Sequence, residues 1–254
     1  MSYSDERISD LKAKPNKTTD EKEELRFLLE WMEYSNRTYL SGAGLRRKGE
    51  LFKKFDYYMF RDFLHAMANR GYSFACWAEF EDETKQLTGK QIEAVLDLIP
   101  SMEHKAVQGS LVRQVALTKR VYNATPLTRL YDKCEPEDST RWTIGDAISR
   151  SKAKGIDDWV RDKLANPDEG TGWNRLCEYA AKHFPAQEAI DLIKPLEDRA
   201  PFDVPHGLGI CGGAEELVYL EAMLERNKAR GKSGIRNEIK KAIRKIEKRL
   251  SKKQ

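Results

Sequence analysis

The sequence predicts an all-α protein: a curved α-solenoid of about five helical pairs, preceded by an N-terminal helical extension. Three observations carry that expectation. Short amphipathic segments recur in pairs from residue 87 to the end, with a period near 30. Turns rich in Asp, Gly, Pro and Asn separate them. No pair of β-like runs exists that could complete a sheet, since a lone strand cannot bury itself. The expected domains are a disordered tail over 1–17, the helical extension over 18–86 and the repeat domain over 87–254.

Taken in order, residues 1–17 are polar, contain Pro15 and are expected to stay partly disordered. Thr18 or Thr19, followed by acids, reads as a helix N-cap. The helix it opens has Leu25, Leu28, Leu29 and Met32 on one predicted face, and Ser41-Gly42-Ala43-Gly44 breaks it. A second long helix carries Leu51, Phe52, Phe55, Tyr58, Met59, Phe63 and Met67 and stops at Gly71. Tyr72–Phe80 is the only stretch of β-like composition, and it reads as a short helix or an apolar loop.

The pairs follow. First members begin near Gln91, Ala124, Asp157, Ala189 and Glu215, and second members near Ser110, Thr140, Gly172, Asp203 and Ser233. A two-helix unit of this size cannot cover its own apolar face, so neighbours must stack. Small residues are needed where helices approach. Ala147, Ala181 and Ala242 each follow an arginine by six positions, namely Arg141, Arg175 and Arg236. The last segment, SGIRNEIKKAIRKIEKRL, has one apolar face and is otherwise basic, as a terminal cap should be.

These residues resemble the HEAT-repeat family, in its short bacterial HEAT-like form, over roughly residues 88–250. Phe184–Asp198 is similar to the family's first helix. Glu137–Ile148 and Ser233–Ile246 are similar to its second helix, in which a polar turn precedes an arginine and then a small residue; Arg113 matches the same place more weakly. The fourth unit departs from the pattern, with Pro205, Gly207 and Gly209 where a regular helix is expected, so a break or bend is expected there. The resemblance implies that the second helices line a concave face.

Composition narrows function. Hydrophobic residues make up 40% and charged residues 34% of 254, with no apolar run long enough for a membrane span and no secretory h-region at the start. A soluble cytoplasmic protein with no membrane partner is expected. Cys76, Cys134, Cys177 and Cys211 are dispersed and read as small buried residues, not as disulfides or zinc ligands. The net charge of +4 is uneven: residues 225–254 hold 13 basic and 3 acidic side chains, a local +10 that leaves −6 on the rest.

No phosphate-loop, dinucleotide, zincin, hydrolase-elbow or EF-hand pattern is present. No catalytic residue, metal ligand or cofactor is therefore assigned. Gly207–Gly213 lacks the Lys-Ser/Thr of a phosphate loop, and the acids at Asp157, Asp158 and Asp162 read as a capped helix start. The candidate binding residues are Arg113, Arg141, Trp142, Trp173 and Arg175, because Arg and Trp are enriched at binding hot spots, and His206, which lies in the irregular fourth unit beside Pro205. Stacking alone predicts the same recurrence, with the arginines paired to turn acids such as Asp138 or Asp168 and the tryptophans filling gaps. The expected function is a non-enzymatic protein-binding module or scaffold, of inhibitor or immunity type. Nucleic-acid binding through the basic C-terminal helix is the alternative. It extends to an enzyme resembling the HEAT-like DNA glycosylases, which would draw on Arg141, Trp142, Asp146 and Trp173.

Overall fold

The computed structural model describes residues 3–35, 42–229 and 233–252. It is mostly helical, with fourteen α-helices among the described residues. None of these is long and apolar enough to cross a membrane. The chain divides into two compact units, 1–118 and 119–254. The division falls after the first predicted pair and not at 86/87, so that pair belongs with the N-terminal helices.

The first unit holds α1 (Tyr3–Ala13), α2 (Thr19–Ser35), α3 (Gly42–Asn69), α4 (Trp77–Glu83), α5 (Gly89–Leu98) and α6 (Lys105–Leu117). The expected disorder of 1–17 is corrected by α1, which buries Tyr3, Ile8 and Leu11. Its Arg7 reaches the fully buried Glu24 of α2 (Nε to Oε1 2.8 Å), and Arg61 of α3 lies 3.5 Å from the same carboxylate. That buried acid also resets the face of α2. Phe27 and Leu28 are buried with Glu24, while Leu29, predicted inward, is 45% exposed. Thr18 is the N-cap: its Oγ accepts from Glu21 N–H, and Glu21 accepts from Thr18 N–H in return. Ser41 and the end of the first long predicted helix lie outside the described residues. Gly71 ends α3 at φ +83°, a conformation that glycine adopts without strain. Residues 72–76 are loop, and α4 then packs Trp77 flat on Phe60 at 3.5 Å.

The second unit opens with a feature the sequence reading did not contain. Strand β1 (Val121–Asn123) pairs in parallel with β2 (Lys152–Lys154), in the register Val121↔Lys152 and Asn123↔Lys154. Helices α7 (Thr125–Lys133) and α8 (Ser139–Arg150) connect the two strands. Each strand is three residues long, too short for alternation to be legible, and only the central Tyr122 and Ala153 are buried.

Three further pairs follow: α9 (Asp157–Ala165) with α10 (Leu176–His183), α11 (Ala186–Ile193) with α12 (Asp203–Cys211), and α13 (Ala214–Ala229) with α14 (Ser233–Leu250). The second helices touch in succession, α8 to α10, α10 to α12 and α12 to α14. The alanines expected at close approaches, Ala147, Ala181 and Ala242, are all buried. The expected break in the fourth unit does not occur. Pro205 falls in the first turn of α12, where its missing N–H is not needed. The glycines are contact points: a Cβ on Gly209 would sit 3.0 Å from Ala242 Cα, and one on Gly207 3.2 Å from the Cys177 carbonyl oxygen.

Candidate functional site

The second helices run side by side with their N-terminal ends together, and the residues singled out in the sequence fall on this row. The row brings backbone very close to backbone. A Cβ on Gly145 of α8 would lie 2.2 Å from the carbonyl oxygen of Gly172, and Gly172 itself adopts φ +93°. Two glycines are thus required where α8 meets the chain entering α10.

Arg141 fills the space beneath that approach. It is 3% exposed, its guanidinium lies 4.2 Å from the centroid of the Tyr131 ring, and it ion-pairs with Asp168. Burial alone would raise the Asp168 carboxyl, but hydrogen bonds from Arg141 and from Gly170 N–H outweigh it and hold it below the ordinary carboxylate value. The 167–173 loop is bound further by Arg199, which donates to the carbonyls of Pro167 (2.8 Å) and Asp168 (2.6 Å). Tyr131 Oη donates to the Thr171 carbonyl (2.8 Å) and Trp173 Nε1 to that of Gly170 (3.0 Å). Arg141 and the buried Trp173 therefore build a loop and offer nothing to a ligand. The alternative pairing named in the sequence reading, with Asp168, is the one found.

Arg175 has a different role. It donates to Asp146 of α8 (Nη2 2.8 Å) and to Asp203 of α12 (Nη1 2.8 Å), so one side chain ties three successive pairs together. Asn174 supports it by donating to the other Asp203 oxygen at 2.7 Å. One turn on, Glu178 accepts from Lys182 (2.6 Å), with His206 Nε2 of α12 at 3.5 Å. The hydrogen bond with His206 and that with Lys182 outweigh burial and lower the Glu178 carboxyl to about 2. Lys182 also donates to the Ser149 carbonyl of α8 at 2.9 Å. At the rim, Arg150 reaches Asp146 at 3.2 Å.

The result is a half-buried network of alternating charge across α8, α10 and α12. Sequence reasoning reached Arg175, His206 and, for excision chemistry, Asp146. It missed Arg150, Glu178, Lys182 and Asp203; the i,i+4 spacing of Glu178 and Lys182 was the only available signal. Asp146 is held by two arginines. Trp142 stands beside the network 46% exposed and is the one candidate aromatic that faces water. Arg113 is exposed on α6 in the first unit, and the network is complete without it. No group of three or more His, Cys, Asp or Glu side chains among the described residues could hold a metal ion. The Cys177 thiol is fully buried and its ionisation is pushed far up, so it is inert.

Protein-family models, curated proteins and solved structures yield no match to this chain.

Proposed function

We propose that residues 119–254 form a HEAT-like α-solenoid that works as a non-enzymatic protein-binding module, with its partner docking on the row of α8, α10 and α12. The observation that carries this reading is the spacing of the polar contacts between pairs. Arg141 to Asp168, Asp146 to Arg175, Arg175 to Asp203, Arg161 to Glu188 and Glu197 to Arg226 all span 27–29 residues. Contacts at the repeat period lock each pair to the next. A surface held in this way pays little ordering cost on binding. It presents Trp142 as an aromatic anchor, with Arg150, Lys182 and His206 as the accessible polar rim, to a partner with an apolar pocket and mixed charge.

The test is capture by the tagged full-length protein from its native lysate after nuclease treatment. Trp142→Ala combined with Arg150→Glu is expected to lower recovery of the stoichiometric partner at least tenfold while the circular dichroism spectrum is retained. Unchanged recovery of every partner by the folded double variant would overturn the assignment of this face.

A further inference from the structure

We propose that α14 carries a second, separate site: a groove for the phosphate backbone of a nucleic acid, formed by Lys245, Lys248 and Lys252 against the C-terminal end of α12. The groove has a volume of about 350 Å³ and is lined by Gly209, Ile210, Lys245, Lys248, Arg249 and Lys252, with no carboxylate among them. The three lysines are exposed, and none pairs with a carboxylate among the described residues.

Three features make this more than a charged helix end. Arg249 donates to the carbonyls of Gly209 (2.6 Å) and Gly212 (2.5 Å), covering the negative end of α12 that would otherwise repel an anion from the groove. Gly209 leaves the floor bare of a side chain: a Cβ there would press on Ala242 at 3.0 Å and stand 3.6 Å from Lys245 Cδ. The cations also crowd one another at i,i+3 and i,i+4 spacing, an arrangement that destabilises a helix by repulsion. The dipole of α14 favours cations in its last turn, yet Lys245 lies upstream of that turn, so end-capping does not account for the set.

The geometry suits a linear polyanion. Lys245 and Lys248 stand about 5 Å apart along the axis of α14, and Lys252 follows two residues past its end, so the set can meet successive phosphates of one strand. No aromatic ring lines the groove, so base stacking is not offered and binding should be indifferent to sequence.

The test is fluorescence anisotropy of the full-length protein with a labelled 20-base-pair DNA duplex of scrambled sequence, titrated at several salt concentrations. Three phosphate contacts contribute about −2.7 to the slope of log K against log salt. Lys245→Glu/Lys248→Glu/Lys252→Glu is expected to remove that contribution and weaken binding at least tenfold. A charge-matched control, Lys119→Glu/Lys133→Glu/Lys154→Glu, is expected to bind within threefold of the unaltered protein. An equal loss in the control, an unchanged slope in the groove variant, or no duplex binding by the unaltered protein would each overturn the proposal. So would lysine-dependent binding confined to vesicles containing phosphatidylserine, which would assign the groove to a membrane surface.

Discussion

Replacing Arg141 by alanine separates a residue that builds the fold from one that binds a partner. The side chain contributes three separable effects. Its guanidinium rests on the buried Tyr131 ring, and a desolvated cation–π contact of this kind is worth about 2 kcal/mol. Its hydrogen bond to Asp168 is charge-assisted, but the Asp168 side chain is 40% exposed, so water recovers much of the loss and about 1 kcal/mol remains. Its methylene stem fills space beneath the 167–173 loop, and truncation leaves a void costing about 1–2 kcal/mol. Together these predict a loss of about 4 kcal/mol, a large fraction of the 5–15 kcal/mol typical of a domain. Arg141→Met keeps the stem and also deletes the buried guanidinium Nε, which has no hydrogen-bond partner, so it should lose only about half as much. The assay is urea unfolding followed by tryptophan fluorescence, with Trp142, Trp159 and Trp173 all reporting on the second unit. At an m-value of about 2 kcal/mol/M the alanine variant should shift the midpoint of that unit's transition by about 2 M. A shift below about 0.5 M, or methionine as damaging as alanine, would refute the structural role assigned to Arg141.

Other consequences are equally direct. Trp173→Ala should cost about 3–5 kcal/mol because the ring is buried, whereas Trp142→Ala should cost under about 1 kcal/mol in the same urea assay. Gly145→Ala should destabilise by about 3 kcal/mol or more, since its Cβ would meet the Gly172 carbonyl, while Gly89→Ala, with nothing within 4 Å, should be neutral or slightly stabilising. The lowered Glu178 carboxyl adds stability that is fully present above its ordinary value of 4.5 and is lost as pH falls through about 2. Glu178→Gln should therefore cost about 1–2 kcal/mol near pH 6, after allowance for solvent screening, with the difference from the unaltered protein closing toward pH 2 in pH-dependent melting.

Much of the helical framework was legible because its signals are local. Thr18 before the acids of α2, Gly71 after α3 and the apolar stripe of α14 each mark an element with no knowledge of its neighbours. The failures share a cause as well. Residues 3–13 are too polar to suggest a core helix, and only the buried Glu24, paired from Arg7 and Arg61, shows why they fold back. The same carboxylate displaced the inward face of α2 toward Phe27. Lys152-Ala153-Lys154 carries no strand signal, and its pairing depends on Val121–Asn123 being delivered alongside by two intervening helices. For the site, sequence located the arginines that open the second helices but could not assign their work. A recurrent arginine is equally consistent with lining a groove and with bracing the next unit, and only the position of Asp168 decides it for Arg141.

That recurrence has a physical origin in the row itself. An arginine in the first turn of a helix opposes the helix dipole, and a nearby anion offsets that cost. Arg141 finds Asp168, and Arg175 finds Asp146 on one side and Asp203 on the other. The third member, Arg236 of α14, pairs with no carboxylate among the described residues. The ladder of alternating charge therefore ends in an uncompensated cation. The same is true more than two turns further along α14 and just past its end, where Lys245, Lys248 and Lys252 line a groove without acids. The acidic body and the basic end are thus two halves of one arrangement. Interior helices spend their charges on each other and become a rigid, nearly neutral row, while the terminal helix keeps its positive charge available to an outside anion.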